Sequence, residues 1–467
     1  MGKQAFKLAL LGAAAIGLAA VGGCRREPPK PINVLLVSID SLRADHLGCY
    51  GYGRETSPQI DRLAREGTIF LNHISTTSWT LPSHISLFTG QEISAHGVAT
   101  DGFSLHPAVP PLAELIRDAG FRTAAFCTSP YMNAAFGFDR GFDLYYNTDS
   151  ERGDYLDTVL PSEETKERSH LDITSPRIAE LANSWLEENA EQPFFLFLHF
   201  WDPHYDYTPP PPYDRIFNPG YTGNIDARNY GNNDRVNPEM DPRDLEQIIA
   251  LYDGEIAFTD HHLGTVIDKL KELGVYDQTL IVITGDHGEE FFEHDNKGHR
   301  ISLYEEVIRV PLVVRRPGQA PGGNRVEAPV GIIDVAPTIL DLLQITRPGS
   351  IQGTSLAPWL NGGEPDGERF LLSELSPVLY SLRGEGVKLL HNADAGATIV
   401  LDLESDPAET HSVEITSGPQ FERLNREFQN RLRRNRELAE EIRGGEAGPK
   451  IHFQEREIER LRTLGYL

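Results

Sequence analysis

The sequence predicts an α/β protein in which helices cover a large, mostly parallel central sheet. Three segments pair a helical pattern with a following apolar strand pattern: "PPLAELIRDAG" with "FRTAAFCTS", "SPRIAELANSWLEENAEQ" with "PFFLFLHFWDPH", and "LGTVIDKLKELGVYDQ" with "TLIVITGDHGEE". This alternation of helix and strand is typical of parallel sheets. The nearly continuous apolar run "INVLLVSID" predicts a central strand that is covered on both faces and ends at Asp40.

Turn and cap signals place the elements that follow the first strand. "TSPQIDRLAREG" predicts a helix that starts at Ser57 and Pro58 and stops at Gly67. "STTSWTLPSHISLFTG" predicts a second helix that starts at Pro82, with the hydroxyl of Thr80 just ahead of it. The stretch 206–242 is rich in Pro, Asn, Gly and Asp, which predicts a long insertion loop over one edge of the sheet and a candidate substrate lid.

The alternation of helix and strand weakens toward the C-terminus. From about Leu360, the segments "RFLLSEL", "YSLRGEGVKLLHN" and "TIVLDLESDPAE" predict a small antiparallel sheet. The charged helix "QFERLNREFQNRLRRNRELAEEIR" follows it. We therefore divide the folded chain into a main domain, 32–358, and a C-terminal unit of sheet and helix, 359–467.

The N-terminus has the pattern of an export signal. Lys3 and Lys7 precede the apolar run "LALLGAAAIGLAAVGG", which is short for a membrane span and ends at Cys24. "VGGC" resembles the lipobox of bacterial lipoproteins, in which the cysteine is lipidated. We predict a signal peptide, 1–23, a lipid-anchored tether, 24–31, and a membrane-anchored protein that faces the periplasm or the cell exterior. The alternative is ordinary cleavage after Gly23, which would leave Cys24 as a spare thiol.

Composition limits the partners and the sources of stability. The chain has 467 residues and a formal net charge of −26, from 69 acidic and 43 basic residues spread along the chain. This excess of negative charge argues against nucleic-acid binding. An anionic substrate would need a local cation, most economically a metal ion. After the export segment only Cys49 and Cys127 remain, so one disulfide at most is possible and the fold must depend on its core.

Three clusters of polar residues stand at predicted strand ends. Asp40 ends the first strand, "HFWDPHYD" ends a second, and "TGDHGEEFFEHDNKGH" ends a third with Asp286 and His287 side by side. Each cluster alone could be a helix cap or a turn. Together they predict a ligand set of two carboxylates and an imidazole, which suits Mn²⁺, Zn²⁺, Mg²⁺ or Ca²⁺.

Longer blocks give the resemblance to a family. "NVLLVSIDSLRADHLGCYGYGRETSPQIDRLAREGTIFLNHIS", "SWTLPSHISLFTG", "DPHYDYTPP", "GDHGEEF", "GHRISLYEEVIRVPLVV" and "IIDVAPTILDLL" resemble successive blocks of the sulfatase family within the alkaline phosphatase superfamily. The resemblance runs from about Asn33 to "LDLESDPAETHSV". It implies a mixed central sheet sandwiched by helices, a smaller C-terminal sheet, and hydrolysis of sulfate or phosphate esters at a metal.

The resemblance also implies roles for particular residues. Asp40, Asp286 and His287 match metal ligands of the family, and we expect one divalent ion, whose identity stays open. Thr80 stands where the family's C-x-P-S-R motif has its nucleophile, so it would be a metal-bound hydroxyl that attacks the ester. His84 occupies the position of the motif's arginine and is a candidate for binding the substrate.

Three further residues complete the expected site. His204 matches a family histidine that protonates the departing oxygen. His299 lies near the position where many sulfatases carry a sulfate-binding lysine, and we expect it to relay protons; Lys297 is a second candidate for contact with the substrate anion. Alternatively, Asp202, His204 and His299 could hold a second metal. The D-x-H spacing of "DPH" favours the site with one metal.

The departures from the family pattern affect the chemistry. Sulfatases oxidise Cys or Ser of the motif to formylglycine, whereas the β-methyl group of Thr80 would allow only a ketone, so the sequence argues against this cofactor. A Thr with two Asp and one His is closer to the metal sets of lipoteichoic acid synthases, phosphoethanolamine transferases and nucleotide phosphodiesterases. Phosphate esters are therefore as credible as sulfate esters.

Several functions stay open at this point. The principal hypothesis is a metal-dependent hydrolase that acts on an anionic ester, either a small molecule, a glycan or a lipid headgroup. One alternative is a phospho-headgroup transferase that works through a Thr80 intermediate. Another is an anchored protein that binds anionic glycans or headgroups without cleaving them.

Overall fold

The computed structural model describes residues 33–147, 174–228, 230–319, 322–363, 365, 367–410 and 415–451. The predicted signal peptide, the tether and the lipidation site at Cys24 lie outside the described residues, so they stay predictions. None of the described helices is both long and apolar enough to cross a bilayer.

An eight-stranded sheet forms the centre of the molecule, with the strand order β11-β2-β10-β7-β1-β6-β4-β5. All of its neighbouring pairs are parallel except those of β10, which runs antiparallel to both β2 and β7. The predicted mostly parallel, mixed sheet is therefore confirmed. The described strands are β1 (Asn33–Ile39), β2 (Thr68–Phe70), β3 (His73–Ile74), β4 (Arg122–Cys127), β5 (Leu144–Asn147), β6 (Phe194–Phe200), β7 (Thr279–Gly285), β8 (Glu290–Phe291), β9 (Lys297–Gly298), β10 (Leu312–Arg315), β11 (Asn324–Val326), β12 (Val330–Gly331), β13 (Leu371–Leu375), β14 (Leu379–Arg383), β15 (Val387–Asn392) and β16 (Ala397–Asp402).

Helices pack on both faces of this sheet. The described α-helices are α1 (Pro58–Glu66), α2 (Thr80–Thr89), α3 (Ile93–His96), α4 (Leu112–Asp118), α5 (Ser175–Asn189), α6 (Pro242–Glu272), α7 (Glu305–Ile308), α8 (Val335–Leu343), α9 (Ala357–Leu360) and α10 (Pro419–Arg443). Helix α1 has the predicted bounds. Helix α2 begins at Thr80 and not at Pro82, so that prediction is wrong by two residues. Proline is tolerated in the first turn because the N–H that it lacks would have no partner within the helix.

Strand β1 explains the continuous apolar run. Val34 and Leu36 point into the core on one face of the sheet, and Leu35 and Val37 point into the core on the other face. All seven residues of β1 are buried. Because the strand is covered on both sides, the alternation of apolar and polar residues that marks a half-exposed strand is absent.

The register of β1 brings the strand-end residues together. Ser38 pairs with His199 of β6 on one side and with Thr284 of β7 on the other. The three parallel strands therefore end at the same level of the sheet. Asp40 and Asp286, which follow β1 and β7, are consequently neighbours at one sheet edge.

The C-terminal unit is the predicted antiparallel sheet followed by a helix. Strands β13 to β16 form a meander in chain order. Leu424 and Phe428 of α10 pack against Leu382 and Leu389 of this sheet. The long segment that precedes α6 contains, among its described residues, only the short 3-10 helix Tyr230–Asn232, in agreement with the predicted insertion loop.

A buried ion cluster joins the C-terminal sheet to the main domain. The fully buried ammonium group of Lys388 on β15 lies 3.3 Å from Glu305 Oε1 on α7 and 2.8 Å from Glu409 Oε1. Replacing Lys388 by Met would keep most of the side-chain volume but leave two buried carboxylates without this cation.

We expect Lys388→Met to lower the free energy of unfolding by about 3–5 kcal/mol, because a buried charge that loses its partner is strongly destabilising. Denaturant unfolding measures the change. Lys271→Met, which removes a more exposed lysine that pairs with Asp268 on α6, is the control and should cost about 0.5 kcal/mol or less. Equal costs for the two variants would show that the buried cluster contributes no net stability.

Candidate functional site

Thr80 lies at the centre of the strand-end cluster. As the first residue of α2 it is 3% exposed, and its Oγ1 lies 3.4 Å from Asp40 Oδ2 and 3.4 Å from His287 Nε2. The sequence prediction brought these three residues together from separate blocks, and the structure does the same. The hydroxyl also stands at the amino end of a ten-residue helix, where the helix dipole favours negative charge.

Asp40, Asp286 and His287 form a compact, fully buried donor set. Their ligand atoms all lie within 4.8 Å of one another. His287 Nε2 lies 3.4 Å from Asp40 Oδ1 and 3.5 Å from Asp286 Oδ2. Among the described residues, Asp286 Oδ2 has no hydrogen-bond partner, whereas Oδ1 accepts hydrogen bonds from the backbone N–H groups of Ser41 and His287.

The backbone around His287 orients its ring. Nδ1 donates a hydrogen bond to the Gly288 carbonyl over 2.9 Å, which leaves the Nε2 lone pair facing the two carboxylates. A Cβ atom at Gly288 would lie 1.9 Å from the Glu306 carbonyl oxygen, so the close approach of this loop to α7 requires glycine. A histidine whose second nitrogen donates to a carbonyl is the arrangement typical of a metal ligand.

The charge of the donor set also fits a cation. Burial raises the pKa of Asp40 to about 6. Burial, with the neighbouring Asp40 charge, raises the pKa of Asp286. Two desolvated carboxylates at this distance repel each other, and a divalent cation would relieve the repulsion. The residues therefore fit the metal ion that the sequence predicts.

His84 differs from its predicted role in substrate binding. It is fully buried below the cluster, where Nδ1 donates to the Thr80 carbonyl over 2.8 Å and Nε2 accepts from Ser38 Oγ over 2.9 Å. Burial lowers the pKa of His84 to about 3, so the ring is neutral at pH 7. Because both nitrogens have protein partners, His84 joins the first turn of α2 to β1 and does not face the substrate.

His199 is a site residue that the sequence analysis missed. Its buried Nε2 lies 3.4 Å from Asp40 Oδ2, and its ring centroid is 4.9 Å from that of His84. Neither ring nitrogen makes a hydrogen bond within the described part of the chain. Burial lowers the pKa of His199 to about 4. In the sequence, the feature that could have indicated His199 is its place one residue before the end of the apolar strand "FFLFLHF".

His204 and His299 lie together at the edge of the cluster. The His299 ring centroid is 4.4 Å from that of His287 and 5.0 Å from that of His204. His204 Nδ1 donates to the Tyr205 carbonyl over 2.7 Å. The structure thus brings both predicted histidines to the same side of the donor set.

Glu289 is the second residue that the sequence analysis missed. This fully buried carboxylate has Oε1 at 3.3 Å and Oε2 at 3.4 Å from His299 Nδ1. Burial raises the pKa of Glu289 to about 8 and lowers the pKa of His299 to about 3. Near neutral pH Glu289 therefore carries a proton, which it can donate to the neutral imidazole of His299. The acidic pair that directly follows "GDHG" was the signal for it.

Lys297 does not reach the position that was predicted for it. Its ammonium group donates to the carbonyl oxygens of Asn233 and Val236, over 3.1 Å and 2.8 Å, and lies 5.7 Å from the Tyr230 ring centroid. These contacts hold the insertion loop against β9. The predicted contact with a substrate anion does not fit this arrangement, because the cation is already paired with backbone oxygens.

Asp202 likewise has a structural partner. Its Oδ2 accepts a hydrogen bond from the Ser175 backbone N–H over 2.9 Å and from the Ser175 hydroxyl over 2.5 Å, at the start of α5. This carboxylate therefore caps a helix. Within the described part of the chain, Asp202, His204 and His299 do not bring their ligand atoms together as a metal-binding group, so the alternative second metal site is not formed.

Comparison with known proteins identifies the family. The family profile described as "Sulfatase" matches residues 32–345, and the profile described as "N-sulphoglucosamine sulphohydrolase, C-terminal" matches residues 293–438. The fold is that of ester hydrolases of the sulfatase and alkaline phosphatase type. The chain belongs to the sulfatase family.

Relatives of known name include sulfatases and a multifunctional member of the alkaline phosphatase superfamily. The ulvan-active sulfatase of Formosa agariphila is 26% identical over 438 residues, which cover 89% of this chain and 82% of that protein. The multifunctional alkaline phosphatase superfamily protein PehA of Trinickia caryophylli is 29% identical, with 85% and 93% covered.

Solved structures confirm the fold. The phosphonate monoester hydrolase of Agrobacterium radiobacter aligns with a TM-score of 0.67 and 24% identity, over 88% of this chain and 96% of that chain. BT4656, in complex with its substrate D-glucosamine-2-N,6-O-disulfate, aligns with a TM-score of 0.71 and 20% identity, over 89% and 99% of the two chains.

The position of His84 leads to a kinetic prediction. We expect His84→Ala to lower kcat about 10–100-fold with little change in KM, because a misplaced first turn of α2 misaligns the Thr80 hydroxyl. Ser38→Ala, which removes the partner of His84 Nε2, should act in the same direction with a smaller effect. Steady-state kinetics on an aryl ester measures both variants, with thermal unfolding to check folding. A raised KM at unchanged kcat would instead support direct contact between His84 and the substrate.

Proposed function

We propose that the protein hydrolyses sulfate or phosphate esters with Thr80 as the nucleophile and one divalent metal ion as cofactor. The observation that carries this proposal is the contact of Thr80 Oγ1 with Asp40 and His287, 3.4 Å from each. Beside it lies Asp286 Oδ2, which has no hydrogen-bond partner among the described residues. A threonine in a protein without catalytic activity would not need two buried carboxylates next to its hydroxyl.

Asp40, Asp286 and His287 would hold the metal ion, with Thr80 Oγ1 as a further ligand. The donor set of two carboxylates and one imidazole is compatible with Ca²⁺, Mn²⁺, Mg²⁺ or Zn²⁺. When bound, the ion would neutralise the carboxylates, lower the pKa of the Thr80 hydroxyl and polarise the ester. Formylglycine has no place in this proposal, because Thr80 replaces the Cys or Ser from which it forms.

The residues of the chain then perform two successive displacements. Thr80 Oγ1 attacks the sulfur or phosphorus atom and loses its proton to Asp40 Oδ2, while the bond to the alcohol oxygen breaks. His204 gives that oxygen a proton; its tautomer is set by the bond from Nδ1 to the Tyr205 carbonyl. Water then cleaves the ester formed on Thr80, which releases the acid and restores the hydroxyl. His299 and Glu289 hold a proton beside this step.

The substrate would be an anionic ester of a small molecule, a glycan or a lipid headgroup. Relatives support this range, because the ones with known names include an ulvan-active sulfatase and a multifunctional member of the alkaline phosphatase superfamily. The choice between sulfate and phosphate is left to experiment.

Thr80→Ala is the direct test of the mechanism. We expect kcat on 4-nitrophenyl esters to fall by about 10³-fold or more without loss of folding, because no other hydroxyl replaces the nucleophile. The assay compares the sulfate, the phosphate monoester, a phosphate diester and a phosphonate monoester in Ca²⁺, Mn²⁺, Mg²⁺ and Zn²⁺ and after chelation. Thr80→Ser, which keeps the hydroxyl, is the matched control and should retain most of the rate.

The outcomes of this assay separate the hypotheses. Turnover that survives in Thr80→Ala, or that is unaffected by chelation, would contradict the proposal. Tight binding of an ester with no turnover in any metal would instead support a protein that binds without cleavage.

We also propose that the protein is exported and anchored through a lipid on Cys24. The support is the sequence "VGGC" after a basic and then apolar N-terminus. Cys24→Ala should move the protein from the membrane fraction to the soluble exported fraction, as measured by fractionation of the expressing cells and mass spectrometry of the mature N-terminus. Unchanged fractionation would contradict the anchor.

A further inference from the structure

A groove of about 420 Å³ opens next to the nucleophile position. Trp79, directly before Thr80, and Arg300, directly after His299, form part of its lining. Its other side is formed by Glu374 and Leu375 at the end of β13 and by Ser376 in the turn that follows. The groove therefore borders the proposed reaction centre and is closed by the C-terminal sheet. A substrate whose ester group reaches Thr80 would have its alcohol part near this groove.

Arg300 is held in one place although it is exposed. Its φ of 68° lies in the left-handed region, which a residue with a Cβ atom adopts only at a cost in energy. Its backbone N–H donates to the Ser78 carbonyl over 3.0 Å. The guanidinium carbon lies 4.2 Å from the Trp79 ring centroid, and NH1 donates to the Tyr131 hydroxyl over 3.0 Å.

These contacts preorganise a hydrogen-bond donor. A flexible arginine would lose side-chain entropy on binding a ligand, whereas a guanidinium stacked on Trp79 has already lost most of it. Arginine presents five N–H donors in a planar fork. The positive φ of Arg300 is thus explained if this backbone conformation is needed to hold its side chain in the groove beside the proposed reaction centre.

Glu374 supplies the complementary acceptor. It is 1% exposed, and its Oε1 accepts hydrogen bonds from the backbone N–H and the hydroxyl of Ser94, over 3.1 Å and 3.0 Å. Its Oε2 is buried and has no hydrogen-bond partner among the residues that the structure describes. Buried polar atoms are almost always paired, so an unpaired carboxylate oxygen in the lining of a groove indicates a partner that comes from outside.

We propose that this groove binds the alcohol part of the ester and that Glu374 and Arg300 select alcohols that carry further hydroxyl groups. A hydroxyl group can donate to Glu374 Oε2 and accept from Arg300, so a polyhydroxylated, carbohydrate-like alcohol satisfies both. Asp101, which also lines the groove, disfavours an alcohol with a second negative charge. The inference rests on the proposed function, since it assumes that the ester is cleaved at Thr80.

The test compares two alcohols attached to the same acid. Wild type, Glu374→Gln and Arg300→Met are assayed on 4-nitrophenyl sulfate and D-glucose 6-sulfate, and on the two corresponding phosphates. We expect each variant to lose at least about 10-fold more kcat/KM on the glucose ester than on the nitrophenyl ester, because a site built to pair hydroxyl groups discriminates by their presence. Glu374→Gln keeps an oxygen that can accept from Ser94.

Arg243→Ala is the matched control. Arg243 is an exposed arginine at the start of α6 that pairs with Asp241, and its removal should affect both esters equally. Thermal unfolding of each variant identifies a loss that comes from misfolding. If Glu374→Gln does not fold, Arg300→Met decides the question alone.

A second measurement separates this inference from the proposed function. Calorimetry measures the affinity of D-glucose 6-sulfate and D-glucose 6-phosphate for Thr80→Ala protein and for the same protein with Glu374→Gln or Arg300→Met added. We expect the added substitution to weaken binding at least about 10-fold. If wild type cleaves none of the esters, the proposed function fails while the groove is still tested by this binding. Equal losses on both alcohols together with unchanged affinity for the glucose esters would overturn the inference.

Discussion

Two buried carboxylates, Asp40 and Asp286, are the constraint on which the rest of the site depends. They follow adjacent parallel strands, so the sheet itself forces them to the same edge and removes them from water. Desolvation and their mutual repulsion would destabilise the charged forms. Among the residues that the structure describes, Asp286 Oδ2 has no hydrogen-bond partner that would relieve this. The donor set therefore fits an added cation.

The neighbours of the two acids are imidazoles that position the groups around them. His287 gives Nδ1–H to a carbonyl and turns its lone pair toward the acids. His84 is not part of the donor set. Its two ring nitrogens form hydrogen bonds with Thr80 and Ser38, which connect the start of α2 to the central strand. Burial lowers the pKa of His84, which keeps it in the neutral form in which one nitrogen donates and the other accepts. Thr80 is thereby held by the same strand that ends next to Asp40.

The C-terminal sheet takes part in the site as well as in stability. Lys388 binds it to α7 through a buried ion pair with Glu305, and the Glu374 backbone N–H donates to the Thr76 carbonyl over 2.7 Å, four residues before Thr80. The same strand places Glu374 in the groove lining. In the proposed function, the C-terminal unit would therefore contact the alcohol part of the substrate, while the sheet edge would supply the reaction centre.

The sequence by itself determined the α/β class, the C-terminal antiparallel sheet and the meeting of Asp40, Asp286 and His287, because apolar periodicity and strand ends are local signals. The resemblance to the family added Thr80 and the role of each residue. The sequence did not determine which hydrogen-bond partner each side-chain atom has. Whether His84 faces a substrate or the core depends on Ser38, which is 46 residues away in the chain. The orientation of His84 was therefore decided by the tertiary structure alone. The same holds for the partners of Lys297, the presence of His199 and Glu289 in the site, and the start of α2 at Thr80. Each of these depends on contacts that form only when distant segments pack.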